Sequence, residues 1–356
     1  MLKTIAGRLL TLPVVMFLVT LIIFLLILQL PAEERVVVYL PSTRSNLSPE
    51  DAAKLVKVTI ERYGLDQPPA VQYTRWISNL LQGDWGYSPS WRQPVLEGLL
   101  RRLPATTELI LFAMVPAVLL SISLGSHAAY RRYRLPDHLI RSAIFIGWAF
   151  PSFILALILL NVFYAWNGWF PPERMSIWAG AIVRSQDFHS YTGLLTVDAL
   201  LNGNFPIYID ALRHLVLPAF TVALIEWALL ARLMRSSLLD VMGQDYITTA
   251  RSKGLPESRV IRVHARRNAL LPVISIGGVA AATLITTVCV VEVVFNFNGI
   301  GRGVVTAFQA TEIPVTVGFA LISCLVVLLA SLFADILYIF ADPRIRFVSE
   351  ESEGQH

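Results

Sequence analysis

The chain has 356 residues, 55% of them hydrophobic and only 15% charged, with a mean hydropathy of +0.61. Apolar runs of about twenty residues recur on that background, which excludes a soluble domain and defines a polytopic membrane protein. The net charge of +4 is no sign of nucleic-acid binding, because Lys and Arg gather in short loops between apolar runs, as they do on the cytoplasmic side of membrane proteins.

The first predicted span covers residues 9–30, preceded by Lys3 and Arg8, so the N-terminus is expected inside. The run is too long for a cleaved signal, and no small-x-small site follows it. Residues 31–104 form a polar insert, expected outside. Ser48-Pro49-Glu50-Asp51 reads as an N-cap, a Pro at the first helical position and a capping acid, opening a helix to Tyr63 with Gly64 just past its end. A second helix carries Val71, Trp76, Ile77, Leu80 and Leu81 and stops at Gly83. The stretch from Asp84 to Ser88 is a turn, and 95–104 reads as a short amphipathic helix.

Further spans are predicted at 107–130, 139–166, 215–234, 270–295 and 314–340. Arg131, Arg132 and Arg134 mark the inner end of the second, Arg232 and Arg235 that of the fourth. Six spans with both ends inside satisfy every short loop, with 167–212 a second outer loop and 348–356 a disordered tail. The expected fold is therefore all-α, six transmembrane helices with a small helical extracytoplasmic insert. Proline sits in or at the start of each span, as Pro13, Pro116, Pro151, Pro218, Pro272 and Pro314; it reads either as a set of hinges or as the ordinary tolerance of membrane helices for Pro.

Two acids within spans stand out. Glu226 is expected near the midplane, where a charge costs about 2.5–3.5 kcal/mol on insertion scales, so it faces either a pathway or a structural partner. Glu292 is expected near the outer end of its span, within reach of water, as a gating or an anchoring acid. Residues 240–268 are polar and basic and must lie in water. There Ala250 and Gly254 are four apart, so that on one helical face they would let another surface approach, with Tyr246 beside them and Arg251 and Lys253 at the rim. No catalytic constellation, metal-ligand spacing or Walker-type G-x-x-x-x-G-K-[ST] occurs; Gly299, Gly301 and Gly303 follow a membrane helix, not a strand, and are no nucleotide loop. If ATP drives this protein, another chain binds it.

The segment 245–274, with its small-residue helix, Gly254 and the Leu271-Pro272 pair, resembles the cytoplasmic signature loop of ABC-importer permeases. Thr248 replaces that family's leading acid and the distance from Gly254 to Leu271 is long; both features resemble the dipeptide, oligopeptide and nickel branch. Tyr63–Pro68, Gly83–Ser88, Arg102–Thr106, Pro151-Ser152-Phe153, 290–302 and the closing segment 342–346 resemble that branch as well, so the likeness covers about 1–347, with the core at 105–347. The resemblance implies a type I importer fold in a prokaryotic plasma membrane. It implies a second homologous permease, two ATPase subunits that bind ATP and Mg²⁺, and an extracytoplasmic binding protein, with no cofactor in this chain. It makes Tyr246, Ala250, Arg251, Lys253 and Gly254 the ATPase-coupling residues. Asn296, Asn298, Gly299 and Arg302 become candidates for the outer mouth, with Glu226 and Glu292 on the pathway. The rival classes are a secondary transporter or channel, for which no inverted repeat is visible, and a membrane enzyme, for which no nucleophile and base cluster.

Overall fold

A computed structural model describes residues 2–31, 35–36 and 48–341; the expected tail at 348–356 and the segment 342–346 lie outside the described residues. Apart from one short hairpin, the regular secondary structure among the described residues is helical. Five helices are long and apolar enough to cross a membrane: α1 (Leu2–Leu28), α4 (Val95–Tyr130), α9 (Phe205–Met242), α11 (Arg266–Val294) and α13 (Ile313–Ala341). The third predicted span is instead a broken pair, α5 (Leu135–Ala149) and α6 (Ser152–Leu160) with a π-helical turn at Asn161–Ala165, bent by 101°. Phe150 is extended (φ −94°, ψ 129°) and Pro151 caps α6, as expected where a proline ring excludes the helical conformation of the residue before it. Pro13, Pro218 and Pro272 lie inside unbroken helices. Of the six prolines read as hinges, Pro151 is the one that coincides with a break among the described residues.

The chain divides into two compact units. The larger holds Thr107–Phe297 with 2–9 and 326–341. Its axis is α9, which packs against α5, α6, α11 and the loop helix α8 (Leu195–Leu201), and whose apolar stretch is 67% buried against 11% for α1 and α13. Lipid gives helices no hydrophobic drive to associate, so close approach of small residues must supply the attraction. Ala117, Ala228 and Ala231 line the contact with Ile144 and Trp227, and a Cβ on Gly125 would stand 2.8 Å from the Ala231 carbonyl oxygen. Only glycine allows α4 and α9 that close.

Buried acids fix both ends of this unit. At the end bearing Arg131–Arg134, Asp137 is fully buried and takes a two-pronged bond from Arg235, Nε to Oδ1 at 2.7 Å and Nη2 to Oδ2 at 2.9 Å. The Tyr133 amide donates to the same carboxylate at 3.0 Å, closing the α4–α5 corner. At the other end Glu108 accepts from Arg174 (2.8 Å) and from the amide and hydroxyl of Thr196 (2.6 and 2.7 Å). Asp210 accepts from the amide and hydroxyl of Ser176, at the start of α7 (Ile177–Val183). Asp198 is bound by Thr192, Ser190 and Gly193; burial alone would raise its pKa, and these donors outweigh burial and hold it below the ordinary carboxylate value. The segment 167–204 is thus folded on itself, and α9 starts ten residues before the predicted 215 because Asn204 caps it through Oδ1 to the Ile207 amide.

The smaller unit holds Leu10–Thr106 and Asn298–Leu325. Helix α2 (Pro49–Tyr63) begins at Ser48, whose Oγ accepts from the Asp51 amide, and ends at Gly64 with φ +63°, as the sequence led us to expect. Helix α3 (Pro69–Leu81) lays Tyr73 and Trp76 along Phe17, Thr20 and Phe24 of α1, so the insert is packed down the C-terminal half of that helix. The expected turn at 84–88 opens a hairpin, β1 (Tyr87–Ser88) with β2 (Gln93–Pro94). The expected separate helix at 95–104 is the start of α4: Pro104 removes one backbone bond, but Leu99 and Ala105 are fully buried on either side of it and keep the helix continuous. The loop before α13 contains α12 (Ile300–Gln309), whose Ile300, Val304 and Ala307 pack with Val95, Leu99 and Val315. Glu312 ties the hairpin to the start of α13 through Ser88 (2.6 Å) and the Ser90 amide (2.7 Å).

The Asp137–Arg235 pair yields a stability prediction. Asp137→Ala leaves a guanidinium only 18% exposed without its partner and is expected to cost roughly 2–4 kcal/mol, seen as a lower unfolding temperature in detergent. Adding Arg235→Leu is expected to recover most of that loss. Equal losses in the single and double variants would show that the pair does not hold this corner.

Candidate functional site

The basic loop after α9 forms helix α10 (Asp245–Ser252), a single turn at Glu257–Arg259 and a π-helical turn at Val260–Ala265 that runs into α11. Of the residues expected to meet a partner, Ala250 is misassigned. It is 7% exposed and, with the fully buried Ile247, packs inward on Met234, Leu238, Val260, Ala265 and Val273. Its small size serves the chain's own core. Gly254 does not share a helical face with it, because α10 ends at Ser252. Gly254 sits at φ +75° with open space where a side chain would be, its amide bonded to the Arg251 carbonyl at 2.9 Å. This is a left-handed position just past a helix end, where glycine carries no Cβ penalty.

Tyr246 and Lys253 are exposed, as expected for contact residues, and the Tyr246 hydroxyl accepts from Asn268 Nδ2 at 2.8 Å. Arg251 does more than rim the surface. Its guanidinium spans the turn to Glu257 with bonds of 2.7 and 3.1 Å, and that hydrogen bond is the largest cause of the rise in its own pKa. Thr248 and Ser252 are exposed on the outward side of α10. The structure therefore presents a short helix anchored by its inner face, clipped at its exit by one ion pair, and free on its outer face.

Glu226 lies deep in α9 and is 3% exposed. It is the only ionisable group among residues lining a cavity of about 280 Å³ formed by α4, α9, α11 and α13, with Met114, Val118, Leu230, Ile274, Gly278 and Phe333 among the walls. Such a cavity can hold a small polar or cationic group against one carboxyl, with apolar walls that strengthen the attraction by excluding water. Glu292 departs from expectation: it is fully buried, so it does not reach water from its place near the end of α11. The chain turns there through Asn296 (φ +53°), whose Nδ2 donates to Glu173 at 3.0 Å, while the Glu173 amide donates to the Phe295 carbonyl at 2.7 Å.

Asn298, Gly299 and Arg302 belong to the smaller unit. They are not a flexible loop. Gly299 is the N-cap of α12, the Ile300 amide donates to Thr106 Oγ1 at 2.8 Å, and Asn298 is exposed ahead of it. Sequence reasoning passed over Glu108, Asp210 and Glu312, the acids that hold the loop segments at the helix ends. Glu108 carried a usable signal, an acid in the second position of the predicted span 107–130; Asp210 and Glu312 sit in polar stretches where an acid is unremarkable.

The profile of the family described as binding-protein-dependent transport system inner membrane component matches residues 103–347. The di/tripeptide transport system permease protein of Pseudomonas aeruginosa is 37% identical over 346 residues, 97% of this chain and 99% of its own length. The oligopeptide transport system permease protein of Bacillus subtilis is 39% identical over 289 residues, 81% of this chain and 84% of its own. The probable D,D-dipeptide transport system permease protein of Escherichia coli is 38% identical over 312 residues, 85% and 90% of the two chains.

The Gly254 turn is testable by itself. Gly254→Ala meets no atom but must adopt φ +75°, at a cost of roughly 1–2 kcal/mol. Amide exchange across 251–255 is expected to speed up several-fold with the helices intact, and Gly254→Asn, which tolerates that conformation, to stay near the parent. Unchanged exchange in Gly254→Ala would remove the backbone role. Bulky variants such as Gly254→Trp report the turn as much as any docking.

Proposed function

This chain belongs to the family of binding-protein-dependent transport system inner membrane components, and from that premise we propose that it is the peptide-transporting permease subunit of an ATP-driven importer. The observation that carries the reading is full-length similarity to di/tripeptide and oligopeptide permeases, joined to an exposed helix, α10, placed to receive a partner. A second homologous permease completes the pathway, two ATPase subunits dock against α10, and a binding protein delivers peptide at the outer end. ATP and Mg²⁺ reside on the ATPase subunits. The chain crosses a prokaryotic plasma membrane with both termini inside, the insert and 167–212 outside, and 240–268 in the cytoplasm; the arginines at 131, 132, 134, 232 and 235 support that orientation.

In this reading Tyr246, Lys253 and the outward residues Thr248 and Ser252 form the contact, Arg251 and Gly254 hold its shape, and Ala250 anchors it from within. Binding of ATP draws the docked helices together, and α10 passes the displacement to α9 and α11 through its buried face. Glu226 supplies the charge that meets a peptide's amino terminus. In the smaller unit Asn298, Gly299 and Arg302 belong to the outer mouth, and in the larger unit Asn296 and the buried Glu292 are pathway residues.

Ser252→Trp and Thr248→Trp are expected to leave the chain inserted, with a cysteine at Ser258 labelled only from the inside. ATPase activity stimulated by loaded binding protein should fall roughly tenfold, the loss of about 1.4 kcal/mol of contact. Parental stimulation in both variants would remove α10 as the docking element.

Glu226→Gln keeps shape and hydrogen bonding while removing the charge. Peptide uptake by the assembled complex is expected to fall roughly three- to tenfold, and less for peptides with a blocked amino terminus. Parental uptake of both classes would make Glu226 a structural acid.

A further inference from the structure

Helices α5 and α9 enclose an open groove of about 880 Å³ at the end of the helices that carries the basic corner Arg131–Arg134. Arg141, Ser142, Phe145 and Trp148 line it from α5, Arg232 and Ser236 from α9. Its charge is only partly compensated: Arg141, Arg232 and Arg235 line it, and the nearby carboxylate, Asp137, also attracts Arg141. Both oxygens of Asp137 are taken up by Arg235 and by the Tyr133 amide, and no acid lines the groove among the described residues. Arg141 and Arg232 are exposed, and the Arg232 guanidinium lies 4.6 Å from the Trp148 ring centroid, which orients its plane and leaves its N–H edge free. Next to the arginines the surface is strongly apolar, with Phe145 72%, Trp148 61% and Ile146 54% exposed.

We propose that this groove binds an anionic phospholipid, its phosphate between Arg141 and Arg232 and its acyl chains along Phe145, Ile146 and Trp148. The inference rests on the chain's lying in a membrane, not on the substrate or docking surface. Two exposed guanidiniums without a carboxylate hydrogen bond call for an acidic ligand, and rings exposed beside them call for one with a hydrocarbon part; a phospholipid with net negative charge has both. Each arginine near a charged membrane surface contributes about 1 kcal/mol, so two give a preference of roughly tenfold or more over a zwitterionic lipid. A free phosphate would satisfy the arginines and leave the apolar surface unexplained.

The test is native mass spectrometry of the full-length chain in detergent with added phosphatidylglycerol or phosphatidylcholine. The parent is expected to retain phosphatidylglycerol roughly tenfold better. Arg141→Gln with Arg232→Gln should bring the two lipids within about twofold, and Arg141→Lys with Arg232→Lys should keep most of the preference. Both pairs lie on exposed positions away from the Asp137 bond, and the unfolding temperature checks that each folds. No preference in the parent, or the same preference in the Gln pair, would overturn the proposal. Displacement of bound lipid by millimolar inorganic phosphate would overturn it in favour of a simple phosphate site. Loss of the preference when a homologous permease is co-purified would show that the groove is a subunit contact.

Discussion

A carboxylate withdrawn from water has to find its hydrogen bonds in the protein, and each unit of this chain relies on that requirement where its helices end. The helices satisfy their own backbones and need little else to exist in lipid. Their connections bury small apolar clusters and are further fixed by such carboxylates. Asp137 locks the α4–α5 corner onto α9, Glu108 and Asp210 gather the outer loop, and in the smaller unit Glu312 seats the hairpin on α13. A hydrogen bond to a charged group is worth about 1.5–3 kcal/mol, against about 1 for a neutral one, so one acid with three donors outweighs the ordering cost of a short loop segment.

Much of this was legible in the sequence, and the parts that were not share a cause. Composition and loop charge gave the class and the helices, because hydrophobic length and the exclusion of Arg and Lys from hydrocarbon are local properties. The Ser48 cap and the Gly64 stop were read correctly because capping is decided within four residues. The motifs at Gly83–Ser88 and Arg102–Thr106 could be recognised without being understood. Their reason is that Ser88 meets Glu312 and Thr106 meets the Ile300 amide, partners about two hundred residues away. The inward turn of Ala250 and the burial of Glu292 were misread for the same reason: the neighbours that decide the facing of a side chain lie on other helices. The break at Phe150–Pro151 was half legible, since six prolines offered six places to bend and only packing selects among them.

The groove and the Glu226 cavity show two ways of using charge in an apolar setting. In the cavity a single acid is surrounded by apolar walls and has almost no contact with solvent, so whatever approaches it must itself shed water. In the groove the arginines keep their heads at the surface and lay their stems and the neighbouring rings against the apolar side. The first arrangement sets a desolvation cost on any ligand, and the second leaves its charge open to solvent.

The inward anchoring of α10 has a mechanical consequence. Ile247 and Ala250 share one core cluster with Met234, Leu238 and Val273, and close-packed side chains resist compression. A push on the outer side of α10 is therefore not spent in bending the loop. In the proposed docking it acts as a short arm, and its buried face joins it to the ends of two long helices at once.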